Sequence, residues 1–189
     1  SQHIPDTPGQ TGKKPMHIPV AFGLLNNNGD EILSTQILHL KDKSESFIFE
    51  NIAPRPVPSI LRNFSAPVRL VSDLSEDDIR FLMIHDTDGF NRWESSRVLA
   101  LRMINRMIDA TEAGHMAVTD HAFLDSVELL LKQAMDNTQD MALIARMLDL
   151  PDYSTISQER NVIEPDHIHL VSEKIRNDVF AAHSSLLKE

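Results

Sequence analysis

The spacing of apolar residues changes at about residue 74, and this change constrains the fold more than any other feature of the sequence. Before it, Val20, Phe22 and Leu24 alternate with other residues, which is the two-residue period of a half-buried strand. After it, apolar residues recur at steps of three and four, the period of a helix that buries one face. The sequence therefore predicts an α+β chain with two domains, a β-sandwich over residues 1–74 and an all-α domain over residues 75–189.

The clearest predicted helix lies in the segment DGFNRWESSRVLALRMINRMI, residues 88–108. It has a wide apolar stripe formed by Val98, Leu99, Leu101, Met103, Ile104, Met107 and Ile108. Further helices are predicted over 75–85, 120–134 and 139–148, each with an apolar face. A last helix begins at Pro165, with a stripe formed by Ile168, Val171, Ile175, Val179, Ala182 and Leu186. We interpret the methionines at 103, 107, 141 and 147 as core filling.

The β-region is predicted to contain about five short strands. Asn28-Gly29 supplies the positive φ angles of a tight turn, so residues 31–40 should return antiparallel to the strand before them. Further strands are predicted over 46–52, 59–64 and 67–72, and PRPVP at 54–58 is predicted to be an extended crossover. An immunoglobulin-like sandwich usually has about seven strands. The shortage predicts an unpaired sheet edge and the loss of upstream strands.

Charge and cysteine content exclude several classes of partner. The net charge is −10, and all of it belongs to residues 75–189, since residues 1–74 carry equal numbers of basic and acidic side chains. Nucleic acid and anionic lipid both require a basic face, so neither is an expected partner. The sequence has no cysteine and no apolar run of roughly 18 residues, which predicts a cytoplasmic protein that does not span a membrane.

No residue of this sequence is predicted to be catalytic, to bind a cofactor or to bind a metal ion. The nine histidines form no His-Glu-x-x-His motif, which would place two imidazoles one helical turn apart. His115 and His121 have no such spacing, and His167 and His169 lie two apart on a predicted helix and therefore point in different directions. Phosphate-binding and dinucleotide-binding glycine motifs are absent. Trp93, the only tryptophan, is expected to pack between the sandwich and the helices.

Four segments carry a resemblance to a known family. They are HIPVAFGLLNNNGD at 17–30, FIFENI at 47–52, PVPSILRNFSAPVRL at 56–70 and FLMIHDTDGFNRWESSRVLAL at 81–101. In order and spacing they resemble the region just after the catalytic domain of bacterial aminopeptidase N, a zinc exopeptidase of the gluzincin class. The most specific pieces are residues 56–70 and the segment DGFNRWES at 88–95.

The resemblance implies an immunoglobulin-like third domain joined to the start of a helical fourth domain. It implies a parent enzyme that uses zinc to remove N-terminal amino acids from peptides, with this region bridging the catalytic domain and the downstream helices. The family's zinc ligands, its Gly-Ala-Met-Glu-Asn loop and its catalytic tyrosine all lie upstream of the similar region and have no counterpart here. No catalytic role is therefore assigned to Tyr153, and the chain alone is expected to have no aminopeptidase activity.

Two further expectations concern the chain as a separate molecule. It begins at Ser1, lacks strands and has a last helix with no stop signal before Glu189, so it is expected to be a fragment. A fragment of this kind should self-associate through the stripe at 168–186 or through the open sheet edge. The alternative is a stand-alone interaction module, in which a sheet edge or an apolar helix face binds another protein.

Overall fold

A computed structural model describes residues 1–52, 55–136 and 140–186. The chain forms two compact units, which we call the sheet unit and the helical unit. The sheet unit comprises Ser1–Asp73 and His85–Asn91, and the helical unit comprises Leu74–Ile84 and Arg92–Glu189. The sheet unit thus takes in a second, short stretch of chain beyond the boundary predicted at residue 74. The division into domains at residues 1–74 and 75–189 stays a prediction.

The sheet unit is built on a three-stranded antiparallel sheet. Strands β1 (Ile18–Leu25), β2 (Glu31–Leu40) and β3 (Val57–Ile60) lie in the order β2-β1-β3. The register pairs Ile18 with Leu40 and Phe22 with Ile60. The hairpin predicted from Asn28-Gly29 is confirmed, and Gly29 has a φ angle of +90° that favours glycine. The central strand β1 provides most of the buried apolar residues of the sheet.

Two of the predicted strands are wrong. Residues 46–52 and 67–72 form no strand in the described part of the chain. The alternation of Phe47 and Phe49 has another cause, because Phe49 stacks on Phe22 at a ring-centroid distance of 5.1 Å while Ile48 is 85% exposed. In the second segment Val71 is 87% exposed. Neither segment therefore adds a strand to the described sheet.

The strand predicted over 59–64 is shifted toward the N-terminus. It begins at Val57 and ends at Ile60, so the last two residues of PRPVP belong to β3 and not to a crossover. β3 is an edge strand, the position in a sheet where a proline such as Pro58 is tolerated. Residues 53 and 54 lie outside the described residues. The described residues thus contain three strands, where about five were predicted.

Six α-helices follow the sheet in the part of the chain that the structure describes. They are α1 (Glu76–His85), α2 (Gly89–Glu112), α3 (His121–Met135), α4 (Met141–Leu148), α5 (Tyr153–Gln158) and α6 (Pro165–His183). The starts of α1 and α2 follow from side-chain caps: the Ser75 hydroxyl accepts from the Asp78 N–H at 3.1 Å, and the Asp88 carboxylate accepts from the Asn91 N–H at 2.9 Å. The predicted helices 75–85, 120–134 and the start at Pro165 are confirmed to within two residues.

The helical unit has one apolar core. It includes most of the predicted stripe of α2, with Ile104 and Ile108 fully buried, together with Phe123, Leu130 and Ile144. Trp93 is partly buried and packs against this core. Met103, Met107 and Met147 fill it as predicted, but Met141 is 53% exposed. No helix within the described ranges is long and apolar enough to cross a membrane.

Three expectations about the C-terminal part need correction. Tyr153, predicted to lie in a connection, begins the six-residue helix α5. The last helix ends at His183 instead of running on, and residues 187–189 lie outside the described residues, as does Gln139 at the predicted start of α4. The stripe at 168–186 is largely buried, since Ile168, Val171 and Ile175 belong to the core. The premise for self-association through that stripe, an uncovered apolar face, is therefore wrong, and self-association itself stays a prediction.

Candidate functional site: a buried polar cluster around Arg62

The sheet unit contains a buried arginine whose guanidinium donates to several side chains. Arg62 is 2% exposed and follows β3. Its Nε donates to the Ser59 hydroxyl at 2.8 Å, and its Nη1 donates to the Thr35 hydroxyl at 2.8 Å and pairs with the Glu31 carboxylate. Its Nη2 donates to Asp86 Oδ1 at 3.2 Å. Every nitrogen of the guanidinium thus has a partner, as a buried charge requires.

The backbone around Arg62 takes an uncommon conformation. Leu61, Asn63 and Phe64 have φ angles of 61°, 53° and 50°, in the left-handed region that costs an L-residue about 1–2 kcal/mol. Such strain persists only where the surroundings determine the conformation. Here Leu61 is buried and Arg62 has four side-chain partners on three other parts of the chain. The left-handed turn therefore directs the guanidinium into the sheet unit.

The segment between α1 and α2 completes the cluster. Asn91 Nδ2 donates to the Ser59 hydroxyl at 2.7 Å, and the Thr87 hydroxyl donates to Glu31 Oε1 at 2.6 Å. The carboxylate of Asp88 accepts from the backbone N–H of Asn63 at 3.0 Å while it caps α2. These hydrogen bonds explain why residues 85–91 pack with the sheet. We refer to Arg62, Glu31, Thr35, Ser59, Asp86, Thr87, Asp88 and Asn91 as the Arg62 cluster.

The two carboxylates that bind Arg62 have pKa values shifted in opposite directions. The hydrogen bond from Thr87, followed by that from Arg62, lowers the pKa of Glu31 below its ordinary value of 4.5. Burial raises the pKa of Asp86 above its ordinary value of 3.8, and hydrogen bonds together with the charge of Arg62 offset only part of that effect. Folding therefore favours the charged form of Glu31 and the neutral form of Asp86.

Replacing Glu31 by Gln is expected to remove an acid-sensitive contribution to stability. Because the folded-state pKa of Glu31 is lowered, its contribution is full above pH 4.5 and is lost as the pH falls through the folded-state value. Asp86 has the opposite sign: its contribution is present below pH 3.8 and is lost as the pH rises through the raised value. The free energy of unfolding should be measured with urea from about pH 3 to 7. It should fall less steeply toward acid pH in E31Q than in the parent chain, and less steeply toward high pH in D86N. If the free energy of unfolding falls equally steeply at acid pH in E31Q and in the parent chain, the lowered pKa of Glu31 is contradicted.

The Arg62 guanidinium is closed to solvent and is suited to fixing conformation, whereas Glu31, Thr35 and Thr87 lie at the exposed edge of the cluster. Ser59 and Asn91 are buried with Arg62, so a peptide could not reach the guanidinium without local unfolding. No local sequence pattern indicates the cluster, because its members are far apart along the chain. One signal was available, since an arginine inside a predicted half-buried strand needs a partner for its charge.

The structure also shows where the histidines considered as metal ligands lie. His115 follows the end of α2 and His121 begins α3, and neither belongs to a group of three potential ligands in the described residues. His167 lies in the first turn of α6, near Glu112 and Glu164, with the potential ligand atoms of all three within 4.8 Å of one another. No local pattern indicated this group, because a long stretch of chain separates Glu112 from the other two.

Comparison with family models identifies both parts of the chain. A model described as a domain of unknown function with an Ig-like fold, DUF3458, matches residues 1–73. A model described as a domain of unknown function with ARM repeats, DUF3458_C, matches residues 76–189, which is more than half of the chain. The chain belongs to the DUF3458_C family. The predicted fold class, an immunoglobulin-like domain followed by helices, is confirmed.

Individual relatives of this DUF3458_C protein are aminopeptidases. The chain is 31% identical to aminopeptidase N of Escherichia coli over 182 residues, which cover 93% of this chain and 21% of that protein. It is 32% identical to aminopeptidase N of Caulobacter vibrioides, over 89% of this chain and 19% of that protein. The chain spans about a fifth of the length of the curated relatives it matches. The resemblance to aminopeptidase N is confirmed.

A solved structure agrees with these relatives. The crystal structure of Legionella pneumophila aminopeptidase A in complex with aspartic acid matches this DUF3458_C chain with a TM-score of 0.77 at 28% identity. The match covers 91% of this chain and 19% of the other. The two segments that carry the resemblance most specifically, 56–70 and 88–95, contain four members of the Arg62 cluster. They are Ser59, Arg62, Asp88 and Asn91.

Proposed function

We propose that this chain is the non-catalytic part of a zinc-dependent aminopeptidase, in which it connects a catalytic domain to further helices. One observation carries the proposal: nearly the whole chain matches aminopeptidases of which it spans only about a fifth. The parent enzyme would remove N-terminal amino acids from peptides with a zinc-activated water. The zinc ligands would belong to the catalytic domain, because this sequence contains no His-Glu-x-x-His motif.

The sheet unit supports a positioning role. Arg62 is buried there and hydrogen-bonded to Glu31, Thr35, Ser59 and Asp86. Such a cluster fixes one arrangement of the chain, since any other arrangement would leave a buried charge without a partner. A rigid connecting domain of this kind can hold a catalytic domain at a defined place. Catalytic groups would then act on a peptide held outside this chain.

The helical unit supports docking of further helices. Its family model describes ARM repeats, in which each helical repeat buries an apolar face against the next. A groove of about 560 Å³ lies beside α6, where Met116 is 83% and Leu170 is 53% exposed, with Glu173 and Lys174 among its lining residues. Exposed apolar residues with charged neighbours are typical of an interaction surface. The groove is the surface on which we place the following helices of the parent enzyme.

The parent enzyme is proposed to be cytoplasmic. The fold has no need of disulfide bonds, because the sequence contains no cysteine. This property is compatible with a reducing compartment. Fractionation of cells that express the natural gene, followed by detection of the full-length protein, tests the proposal, and recovery in an extracytoplasmic fraction would refute it.

The purified chain is expected to hydrolyse no aminoacyl reporter substrate. The physical reason is that it supplies neither the zinc ligands nor the general base of the proposed reaction. The assay should be run with added zinc and again after chelation, with a reporter series of acidic, basic and apolar N-terminal residues. Hydrolysis that is lost on chelation and restored by zinc would contradict the non-catalytic assignment. The full-length product of the natural gene is the positive control and is expected to be active.

A further inference from the structure

The helical unit contains a three-residue group whose donor atoms suit a transition-metal ion. Glu112 is the last residue of α2, Glu164 immediately precedes α6, and His167 lies in the first turn of α6. One potential ligand atom from each lies within 4.8 Å of the other two. An imidazole with two carboxylates is a mixed nitrogen and oxygen donor set, which suits Zn²⁺ better than Mg²⁺ or Ca²⁺.

Glu164 and His167 lie in direct contact. Glu164 Oε2 and His167 Nδ1 are shielded from solvent and closely approach each other, and neither makes a hydrogen bond to another described group. The Glu164 carboxylate also accepts no hydrogen bond from the first turn of α6, although Glu164 occupies the N-cap position. Both side chains are partly exposed, so they can move apart to bind an ion.

Arg160 orients the third member of the group. Its Nη2 donates to Glu112 Oε1 at 2.6 Å, and its Nη1 donates to Asp109 Oδ1 at 2.9 Å. These hydrogen bonds hold the Glu112 carboxylate in place. Outer partners of this kind commonly orient the ligands of a bound metal ion.

The local charge also favours a divalent cation. Asp109 and Glu112 pair with the Arg160 guanidinium and Glu164 lies near Glu112, so the three carboxylates and one guanidinium carry a formal excess of two negative charges. A divalent ion would cancel this excess. We propose that Glu112, Glu164 and His167 form a Zn²⁺ site that joins the end of α2 to the start of α6. This site is separate from the catalytic zinc proposed for the parent enzyme.

Calorimetric titration of the untagged chain with zinc chloride tests the proposal. We expect a zinc-binding event that is weakened at least about tenfold in H167Q and in E112Q. The matched control is H169Q, which changes an exposed histidine of the same helix and should bind as tightly as the parent chain. Circular dichroism of each variant checks that the helices are retained. Should H167Q fail to fold, E112Q still decides the outcome, because Glu112 is exposed.

A second pair of histidines must be separated from the proposed site. His17 and His39 are exposed in the sheet unit, with Nε2 and Nδ1 2.8 Å apart, so they could also bind zinc. The titration is therefore repeated in an H39Q background, where the His167-dependent event is expected to persist. Loss of all binding in H39Q, or equal affinities for H167Q, E112Q and H169Q, would overturn the proposal. The proposal would also be overturned if excess magnesium displaced zinc as effectively as cadmium does.

Discussion

Replacing Arg62 by Met is expected to destabilise the sheet unit by about 3–5 kcal/mol, because it leaves the buried carboxylate of Asp86 without its counter-charge. Asp86 would lose the donor at 3.2 Å, and Glu31 would keep only its hydrogen bond from Thr87. Lys in place of Arg should recover part of the loss, since it restores the charge but cannot donate to Ser59, Thr35 and both carboxylates at once. The expected order of stability is Arg, then Lys, then Met.

The measurement has to report on the sheet unit. The only tryptophan, Trp93, and the only tyrosine, Tyr153, both belong to the helical unit, so intrinsic fluorescence would follow the wrong part of the chain. Hydrogen exchange of peptides from β1 and β2 reports the free energy of opening directly. R146M is the control, because Arg146 forms an exposed pair with Asp149 that should contribute no more than about 1 kcal/mol. Equal protection in R62M and R146M would refute the structural role of Arg62.

Replacing Gly23 by Ala is expected to have the second large effect on stability. Whether the substitution stabilises or destabilises the sheet unit is the informative result. An alanine in place of a strand glycine usually adds about 0.5–1 kcal/mol of stability, because glycine loses more backbone entropy on folding. At Gly23 the added Cβ would lie 2.6 Å from Arg62 Cζ and 2.8 Å from Nη1. The guanidinium cannot move aside without giving up its buried partners. We therefore expect a loss of about 2–4 kcal/mol.

A double-mutant cycle separates this explanation from a general effect on β1. If G23A acts by displacing the guanidinium, most of its cost should disappear in the R62M background, where the atoms nearest to the added Cβ are absent. The same exchange measurement on β1 and β2 peptides gives all four stabilities. If G23A lowers the free energy of unfolding equally with Arg62 and in the R62M background, the contact with Arg62 is not the cause. A stabilising G23A would contradict the close approach itself.

Local patterns predicted the parts of the fold that local interactions determine. The stripe of α2 and the caps at Ser75 and Asp88 identified helices, because a three-to-four step pattern of apolar residues allows few other solutions. The Asn28-Gly29 turn identified the β1–β2 hairpin for the same reason. Residues 46–52 were misjudged because alternation is necessary for a half-buried strand but does not supply a partner strand. The six-residue helix α5 is too short to show a helical period.

The Arg62 cluster and the Glu112–Glu164–His167 group could not be predicted from the residues alone. Each brings together side chains from distant parts of the chain, and the Arg62 cluster also depends on a backbone conformation that no local pattern specifies. The left-handed turn that directs Arg62 inward consists of Leu61, Asn63 and Phe64, of which only Asn commonly adopts that conformation. The family resemblance marked the correct segments, 56–70 and 88–95, without indicating what their polar residues do.

The return of residues 85–91 to the sheet unit limits how this protein can be recombined with its relatives. A hybrid joined once between residues 73 and 76 would place Arg62 from one parent against Asp86, Asp88 and Asn91 from the other. A compatible graft must carry both stretches together, 1–73 and 85–91, into the recipient. Among related sequences, substitutions at positions 62 and 86 should for the same reason occur as matched pairs, because a change at one alone leaves an uncompensated charge in the interior.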